Sequence, residues 1–259
     1  MSFLERYGRW ALVTGASAGI GAEFATQLAA RGLNLALLAR REERIEGLAR
    51  QLENRHKIQT KTIGADLSQP DFLTHVVAET QSLEIGLLVN NAGFGLAGEF
   101  LQHDLKEELA LLDVNCRAQL MLTHTFGRQM AQRKKGAIIF VSSISGYIAT
   151  PLMSTYAASK AYELFLAESL GYELGKHGID LLALCPGSTA TEFHQAAGLR
   201  PVAAMGVQPV VESALKKLGG RRVVITGWHN RLSIWLLKFM PRCVYVPLAG
   251  RVMEKRIAS

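Results

Sequence analysis

Cysteine is scarce in this 259-residue chain. Cys116, Cys185 and Cys243 are scattered, odd in number and without C-x-x-C spacing. That excludes a disulfide framework or a cysteine zinc site and points to a reducing compartment. The seven histidines form no H-E-x-x-H pair, so metal chemistry is not expected. No apolar run reaches the roughly 18 residues that span a bilayer. The start, Met1-Ser2-Phe3-Leu4-Glu5-Arg6, lacks the apolar stretch of a secretory signal. A cytoplasmic protein is expected. Repeats and low-complexity linkers are missing as well, which makes one domain the economical organisation.

What is present begins with an uneven charge. Residues 1–220 hold 21 basic and 21 acidic residues, whereas residues 221–259 hold 8 basic residues and one acidic, Glu254. The net charge of +7 therefore sits in the tail. A neutral body with a basic, apolar tail argues for a local contact, and nucleic acid is not an expected partner. The run from Leu232 to Met240 is apolar on nearly every side and stops at Pro241. A second short helix is expected from Leu248 to Ile257, with Arg251, Lys255 and Arg256 on one face. Three roles stay open: packing on the chain's own body or at an oligomer interface, lying on an anionic membrane surface, or binding a polyanion. The first is preferred.

From residue 10 onward, short apolar runs alternate with helix-length segments. Strands are expected at Trp10–Thr14, Leu33–Ala39, Ile58–Ala65, Ile85–Asn90, Ala137–Ser142, Ile179–Cys185 and Val223–Thr226. Amphipathic helices fall near 20–31, 41–55, 70–82, 104–132 and 154–175. Strands apolar throughout and alternating with helices specify a parallel sheet covered on both faces. The β-α-β-α-β start makes this a doubly wound, Rossmann-type α/β fold with a mainly parallel seven-stranded sheet. Residues 1–227 are expected to form this domain, with a lid near 188–215. Residues 228–259 form a C-terminal extension.

The first strand runs into Thr14-Gly15-Ala16-Ser17-Ala18-Gly19-Ile20-Gly21 and then a helix. Gly15, Gly19 and Gly21 allow a tight turn and close approach to a pyrophosphate, and the helix start offers free N–H groups. Ser17 and Ile20 belong to the same turn. The second strand ends Leu37-Leu38-Ala39-Arg40-Arg41, with no carboxylate until Glu42. An acidic residue there accepts the ribose hydroxyls of NAD, whereas arginine accommodates a 2′-phosphate. Arg40, with Ser17 and Arg41 as helpers, favours NADP(H) over NAD(H) through charge-assisted bonds. Farther on, Tyr156 and Lys160 stand four residues apart and share a helix face. An ammonium beside a phenol favours the phenolate, and the expectation is a pKa moved down from about 10 toward the working range.

With these motifs in order, the sequence resembles the short-chain dehydrogenase/reductase family over roughly residues 8–227. The resemblance rests on TGASAGIG at 14–21, Asp66-Leu67, Asn90-Asn91-Ala92-Gly93, Asn115, Ser143, Tyr156 with Lys160, and Pro186-Gly187 with Thr191. Each is weak alone, and their ordered occurrence is specific. The resemblance implies that Asp66 accepts from the adenine amino group. It also implies that Asn91 with Ala92 and Gly93 lines the adenosine side and braces the sheet. Ser143 donates to the substrate carbonyl, with Ser142 as nearest competitor, and Tyr156 passes a proton to the developing alkoxide. Lys160 holds the nicotinamide ribose and tunes the phenol. Asn115 helps hold a water that resupplies protons. Thr191, or Thr189, reaches the nicotinamide carboxamide.

Segments bordering the substrate are expected to be Phe94-Gly95-Leu96, Ile144–Met153 and the stretch after Thr191. Tyr147, Ile148, Leu152, Met153 and Phe193 make them apolar, and His194 is the titratable group close by. No Arg or Lys is obviously placed there to hold a carboxylate or phosphate, so an apolar ketone is expected: steroid-like, long-chain acyl or alkyl. The tail resembles those of hydroxysteroid-dehydrogenase-like and ketoacyl-reductase-like members. The expected protein is a homodimeric or homotetrameric NADPH-dependent carbonyl reductase/alcohol dehydrogenase. Its rivals are a non-catalytic NADP-binding scaffold and a dehydratase or epimerase on the same fold.

Overall fold

A strand apolar on both of its faces needs cover on both, and this chain supplies it. The computed structural model describes residues 2–200, 203–237 and 239–257. The parts of the lid at 201–202 and of the tail at 238 and 258–259 lie outside the described residues. Among the described residues seven strands form one sheet: β1 (Trp10–Thr14), β2 (Asn34–Ala39), β3 (Thr60–Gly64), β4 (Ile85–Asn90), β5 (Gly136–Val141), β6 (Ile179–Cys185) and β7 (Val223–Ile225). Their order is β3-β2-β1-β4-β5-β6-β7 and each pair is parallel. The chain reverses its direction of travel across the sheet between β1 and β4. That crevice, at the carboxyl ends of the strands, is where such sheets bind ligands.

The helices are α1 (Phe3–Tyr7), α2 (Gly19–Ala29), α3 (Glu42–His56), α4 (Phe72–Thr80), α5 (Leu105–Leu112), α6 (Gln119–Arg133), α7 (Ser154–Glu173), α8 (Phe193–Ala196), α9 (Val207–Lys217), α10 (Trp228–Leu237) and α11 (Arg242–Glu254). Alternation along the strands divides the core in two. Ala137, Ile139 and Val141 of β5 join Phe24, Leu28, Ile45, Leu52, Val210 and Leu215 from α2, α3 and α9. Ile138 and Phe140 join Phe72, Val76, Leu122, Phe126, Leu164 and Ala167 from α4, α6 and α7.

Three local features differ from the sequence expectation. The helix expected over 104–132 is broken by a π-helical turn, Asp113–Ala118, between α5 and α6. Helix α1, which no sequence expectation covers, begins with a capping box in which Ser2 and Glu5 exchange bonds, Ser2 N to Glu5 Oε2 at 2.7 Å and Glu5 N to Ser2 Oγ at 3.2 Å. The tail helix begins at Arg242 rather than Leu248 and carries Pro247 inside it, against the usual reading of proline as a boundary.

Candidate active site

The carboxyl ends of the central strands open into a cavity of about 510 Å³. At one end lies the turn after β1. Gly15 and Gly19 have φ of +65° and +57°. A Cβ on Gly15 would lie 2.9 Å from Ala92 Cα, and one on Gly19 would lie 2.9 Å from Thr191 Cγ2. Backbone conformation and space both require glycine. Helix α2 starts here without a side-chain cap on its first N–H groups, which leaves an anion-binding end. Thr14 Oγ1 accepts from the N–H groups of Asn91 and Ala92, each at 3.0 Å. Asn91 Nδ2 donates to the carbonyls of Thr14 at 2.9 Å and Gly15 at 3.2 Å. The loop after β4 is thereby locked onto the turn after β1.

Arg40 and Asp66 both line the cavity. Burial alone would raise the Asp66 pKa, but bonds from the Ser68 N–H and hydroxyl, with Arg40 nearby, hold it below the ordinary value. A carboxylate is thus kept as an acceptor. Arg41 is already engaged, with Nη2 3.1 Å from Ser17 Oγ and Nη1 2.8 Å from Glu192 Oε2. Arg44 holds the other oxygen of Glu192 at 2.7 Å. Glu192 thus straps the loop after β6 to the end of β2. No sequence motif singles it out, and nothing local marks a contact between positions 148 and 151 residues apart.

At the other end stands Tyr156, 8% exposed on α7, with Ser143 on the same cavity wall. Ser142, the competing hydroxyl, donates instead to the Lys160 carbonyl at 2.7 Å and fixes α7 to β5. Lys160 Nζ is buried and donates to Val141 O at 2.9 Å and to both oxygens of Glu163, at 2.9 and 3.0 Å. Burial pulls the lysine pKa down, but Glu163 and Tyr156 more than offset it, so the ammonium persists. The expectation for tyrosine is reversed. Burial, the largest influence, lifts its pKa above 10, Lys160 and Ser143 pull it down by less, and Glu163 pushes it up again. The phenol keeps its proton at neutral pH.

Glu163 was missed in the sequence, although its place three residues after Lys160 puts it on the same helix face. Its side chain has no exposed surface. Burial pushes its pKa up to about 7, with Lys160 and a 3.0 Å bond from Gln119 pulling the other way.

The cavity walls include the expected Gly15, Ser17, Gly19, Ile20, Arg40, Asp66, Leu67, Asn91, Ala92, Gly93, Ser143, Tyr156, Lys160, Pro186, Gly187, Thr189 and Thr191. Gly21 and Asn115 stand outside its lining. A Cβ on Gly21 would run into the Gly15 carbonyl and the Asn91 side chain, so Gly21 lets the turn close. Asn115, in the π turn, clamps Phe94 in both directions, accepting from its N–H at 3.1 Å and donating to its carbonyl at 3.0 Å. It also donates to Ser159 Oγ at 3.0 Å. The π turn aims this side chain between the loop after β4 and α7.

On the substrate side, Phe94, Gly95, Met153, Phe193 and His194 line the cavity, with the Phe193 ring 5.1 Å from that of Tyr156. Tyr147, Ile148 and Leu152 do not. Tyr147 packs against the core cluster that includes Cys185, and Leu96 and Leu152 pack behind the wall with Met253 and Ile257 of the tail. Ile257 forms an antiparallel bridge with Leu199. This contact brings Arg256 to the cavity wall, which corrects the expectation that no cation borders the substrate.

A profile of the short chain dehydrogenase family matches residues 9–200. The chain is 31% identical over 258 residues to a 7beta-hydroxysteroid dehydrogenase of Clostridium sardiniense, covering 98% of this chain and 99% of that one. It is equally 31% identical over 253 residues to the inactive hydroxysteroid dehydrogenase-like protein 1 of Homo sapiens, covering 94% and 76%. A solved structure from work on 7beta-hydroxysteroid dehydrogenase stereoselectivity superposes with a TM-score of 0.90 at 29% identity, over 96% of this chain and 99% of that one. A short-chain dehydrogenase from Sphingobium yanoikuyae in complex with NADPH superposes at 0.81 and 32% identity, over 90% and 97%.

Proposed function

The chain belongs to the short chain dehydrogenase family, and on that premise we propose that it is an NADPH-dependent oxidoreductase interconverting a bulky, largely apolar ketone and its secondary alcohol. The observation that carries this reading is the protonated, buried Tyr156 sharing a cavity wall with Ser143 and the charged Lys160. These groups share one cavity with an uncapped, glycine-lined helix start. The residues fit a dinucleotide. Gly15, Gly19 and the first turn of α2 would hold the pyrophosphate, Asp66 the adenine, Arg40 the 2′-phosphate, Lys160 the nicotinamide ribose and Thr191 or Thr189 the carboxamide. When bound, NADPH supplies the hydride.

The chain's own residues manage the oxygen and the proton. Negative charge builds on the carbonyl oxygen as the C=O bond is reduced, and preplaced donors stabilise it. Ser143 Oγ donates to that oxygen, and Tyr156 Oη delivers the proton that completes the alcohol. A phenol whose pKa lies above its ordinary value is well charged with that proton at neutral pH, which suits the reductive direction. Lys160 holds positive charge beside the phenolate left behind. Asn115 keeps the Phe94 loop and α7 in register, and we retain for it the resupply of protons through water.

Two further surfaces support the proposed assembly. Leu105, Leu109 and Leu112 of α5 and Tyr162, Phe165 and Tyr172 of α7 are large and exposed, and these helices contact each other. They form the face for a second copy of the chain, as in a homodimer or homotetramer. Trp228, Leu232, Trp235, Leu236 and Phe239 project outward at helical spacing, while Ile234 packs inward. With the surplus of basic residues this stripe fits peripheral contact of a cytoplasmic protein with an anionic membrane. No helix among the described residues is long and apolar enough to cross one. Net NADPH oxidation against ketones graded in length and polarity tests the reading. A non-catalytic scaffold, or a dehydratase or epimerase, consumes none.

A further inference from the structure

The cavity wall holds a cation without a counter-ion among the described residues. Arg256 lines that wall, yet its Nε and Nη2 are covered and meet no hydrogen-bond acceptor among the described residues. Covered guanidinium nitrogens without acceptors are costly and rarely left so without a reason. Burial accordingly lowers the Arg256 pKa. The side chain is not adrift, because its own backbone carbonyl accepts from Arg200 N at 2.8 Å. Met253 and Ile257, on either side of it, pack into the same cluster as Tyr156, Met153 and Leu199.

The two orphaned nitrogens are the adjacent pair that forms the side-on fork of a guanidinium, and such a fork matches the two oxygens of one carboxylate. His194 also lines the cavity, with Nε2 3.0 Å from Ser188 Oγ. Burial and the charge of Arg256 lower its pKa, so it stays neutral and adds no second cation. A single planar fork fits the two oxygens of a carboxylate better than a phosphate dianion. The surrounding Met153, Phe193 and Leu199 are apolar.

Resting on the ketone-reductase reading of this site, we infer that Arg256 is a substrate-binding residue. The preferred substrate is a ketone with a largely apolar body and a terminal carboxylate, which the fork meets by turning toward the cavity it borders. The C-terminal tail thereby sets specificity from outside the segment that matches the family.

The test pairs free acids with their methyl esters, using oxo-octadecanoates with the ketone at successive carbons, in wild type and in Arg256→Leu and Arg256→Lys. Wild type should prefer one or more acids over their esters by about tenfold or more in kcat/KM, chiefly through KM. Arg256→Leu should abolish that preference by lowering kcat/KM for the acids to the level of their esters, and Arg256→Lys should restore it in part. A second readout needs no turnover: decanoate should raise the melting temperature of wild type and not that of Arg256→Leu. If decyl phosphate stabilises wild type and decanoate does not, the anion is a phosphate and the carboxylate assignment is overturned. Esters reduced as well as acids, with decanoate inert, overturn the inference while the reductase reading stands. Absence of any ketone turnover, with decanoate still binding through Arg256, removes the reductase reading instead.

Discussion

Lys160 Nζ lies 2.9 and 3.0 Å from the two carboxylate oxygens of Glu163, and neither side chain is open to solvent. The lysine next to the reacting phenol is therefore half of a buried ion pair, and the charge felt at Tyr156 depends on whether Glu163 is ionised. Cys116 between α5 and α6, Cys185 on β6 and the neutral Gln119 on α6 also face this pair. The two thiols are pushed up by burial and carry no charge near neutral pH.

Glu163→Gln removes a negative charge that raises the tyrosine pKa. The alkaline limb of the ketone-reduction profile, where the phenol loses its proton, should move to lower pH. Profiles measured across neutral and alkaline pH check it. A lower rate with an unmoved limb would reduce Glu163 to a packing residue.

The same carboxyl links pH to stability. Its folded pKa of about 7 lies above the ordinary 4.5, so the folded state holds the proton more tightly. The stabilisation is complete below the unfolded pKa and is lost as pH rises through the folded one. Wild-type urea midpoints, compared with those of Glu163→Gln, should fall between about pH 5 and about pH 8. A rise over that window would contradict the sign.

For the cofactor, Arg40→Asp should weaken NADPH binding by about tenfold or more and narrow the preference over NADH. Glu192→Gln should act the other way. It frees Arg41 and Arg44 from their shared carboxylate and should tighten NADPH more than NADH. Fluorescence titration with both nucleotides measures each case, and unchanged ratios remove these residues from cofactor selection.

Two glycines should behave in opposite ways. Gly15→Ala places a Cβ 2.9 Å from the Ala92 backbone at a positive φ, and should cost about 1–3 kcal/mol along with dinucleotide binding. Gly47 sits inside α3, where an added methyl would meet nothing within 4 Å. Gly47→Ala should stabilise by about 0.5–1 kcal/mol. Chemical denaturation of both variants decides.

Much of this arrangement is legible in the sequence because it rests on short-range patterns. The alternation of β1 to β7 with helices, the glycine turn at Gly15–Gly21 and the Tyr156–Lys160 spacing all depend on neighbours within one element. What is not legible depends on chain brought together from afar. The Glu192 strap, the Arg256 approach through the Leu199–Ile257 bridge and the raised pKa of Tyr156 depend on burial and partners that no local window contains. The Ser2–Glu5 capping box and Glu163 are different. Both carry a readable spacing, and both are overshadowed by stronger motifs nearby.

The exposed faces make separable predictions. Phe165→Asp on α7 should lower the oligomeric state seen by size-exclusion chromatography with light scattering. Trp235→Ser with Phe239→Ser should reduce flotation with vesicles containing phosphatidylserine, with little effect on oligomer size. Flotation unaffected by these changes would leave the outward stripe of α10 without a lipid partner.

Everything proposed for the chemistry depends most on Tyr156 as proton donor. Tyr156→Phe keeps the ring against Phe193 and removes only the hydroxyl, so the direct measurement is NADPH oxidation with a turned-over ketone, beside NADPH binding by fluorescence. Turnover should fall by about a hundredfold or more, with binding changed less than about threefold. Turnover equal to wild type in a variant that still binds NADPH would contradict the proton-donor role.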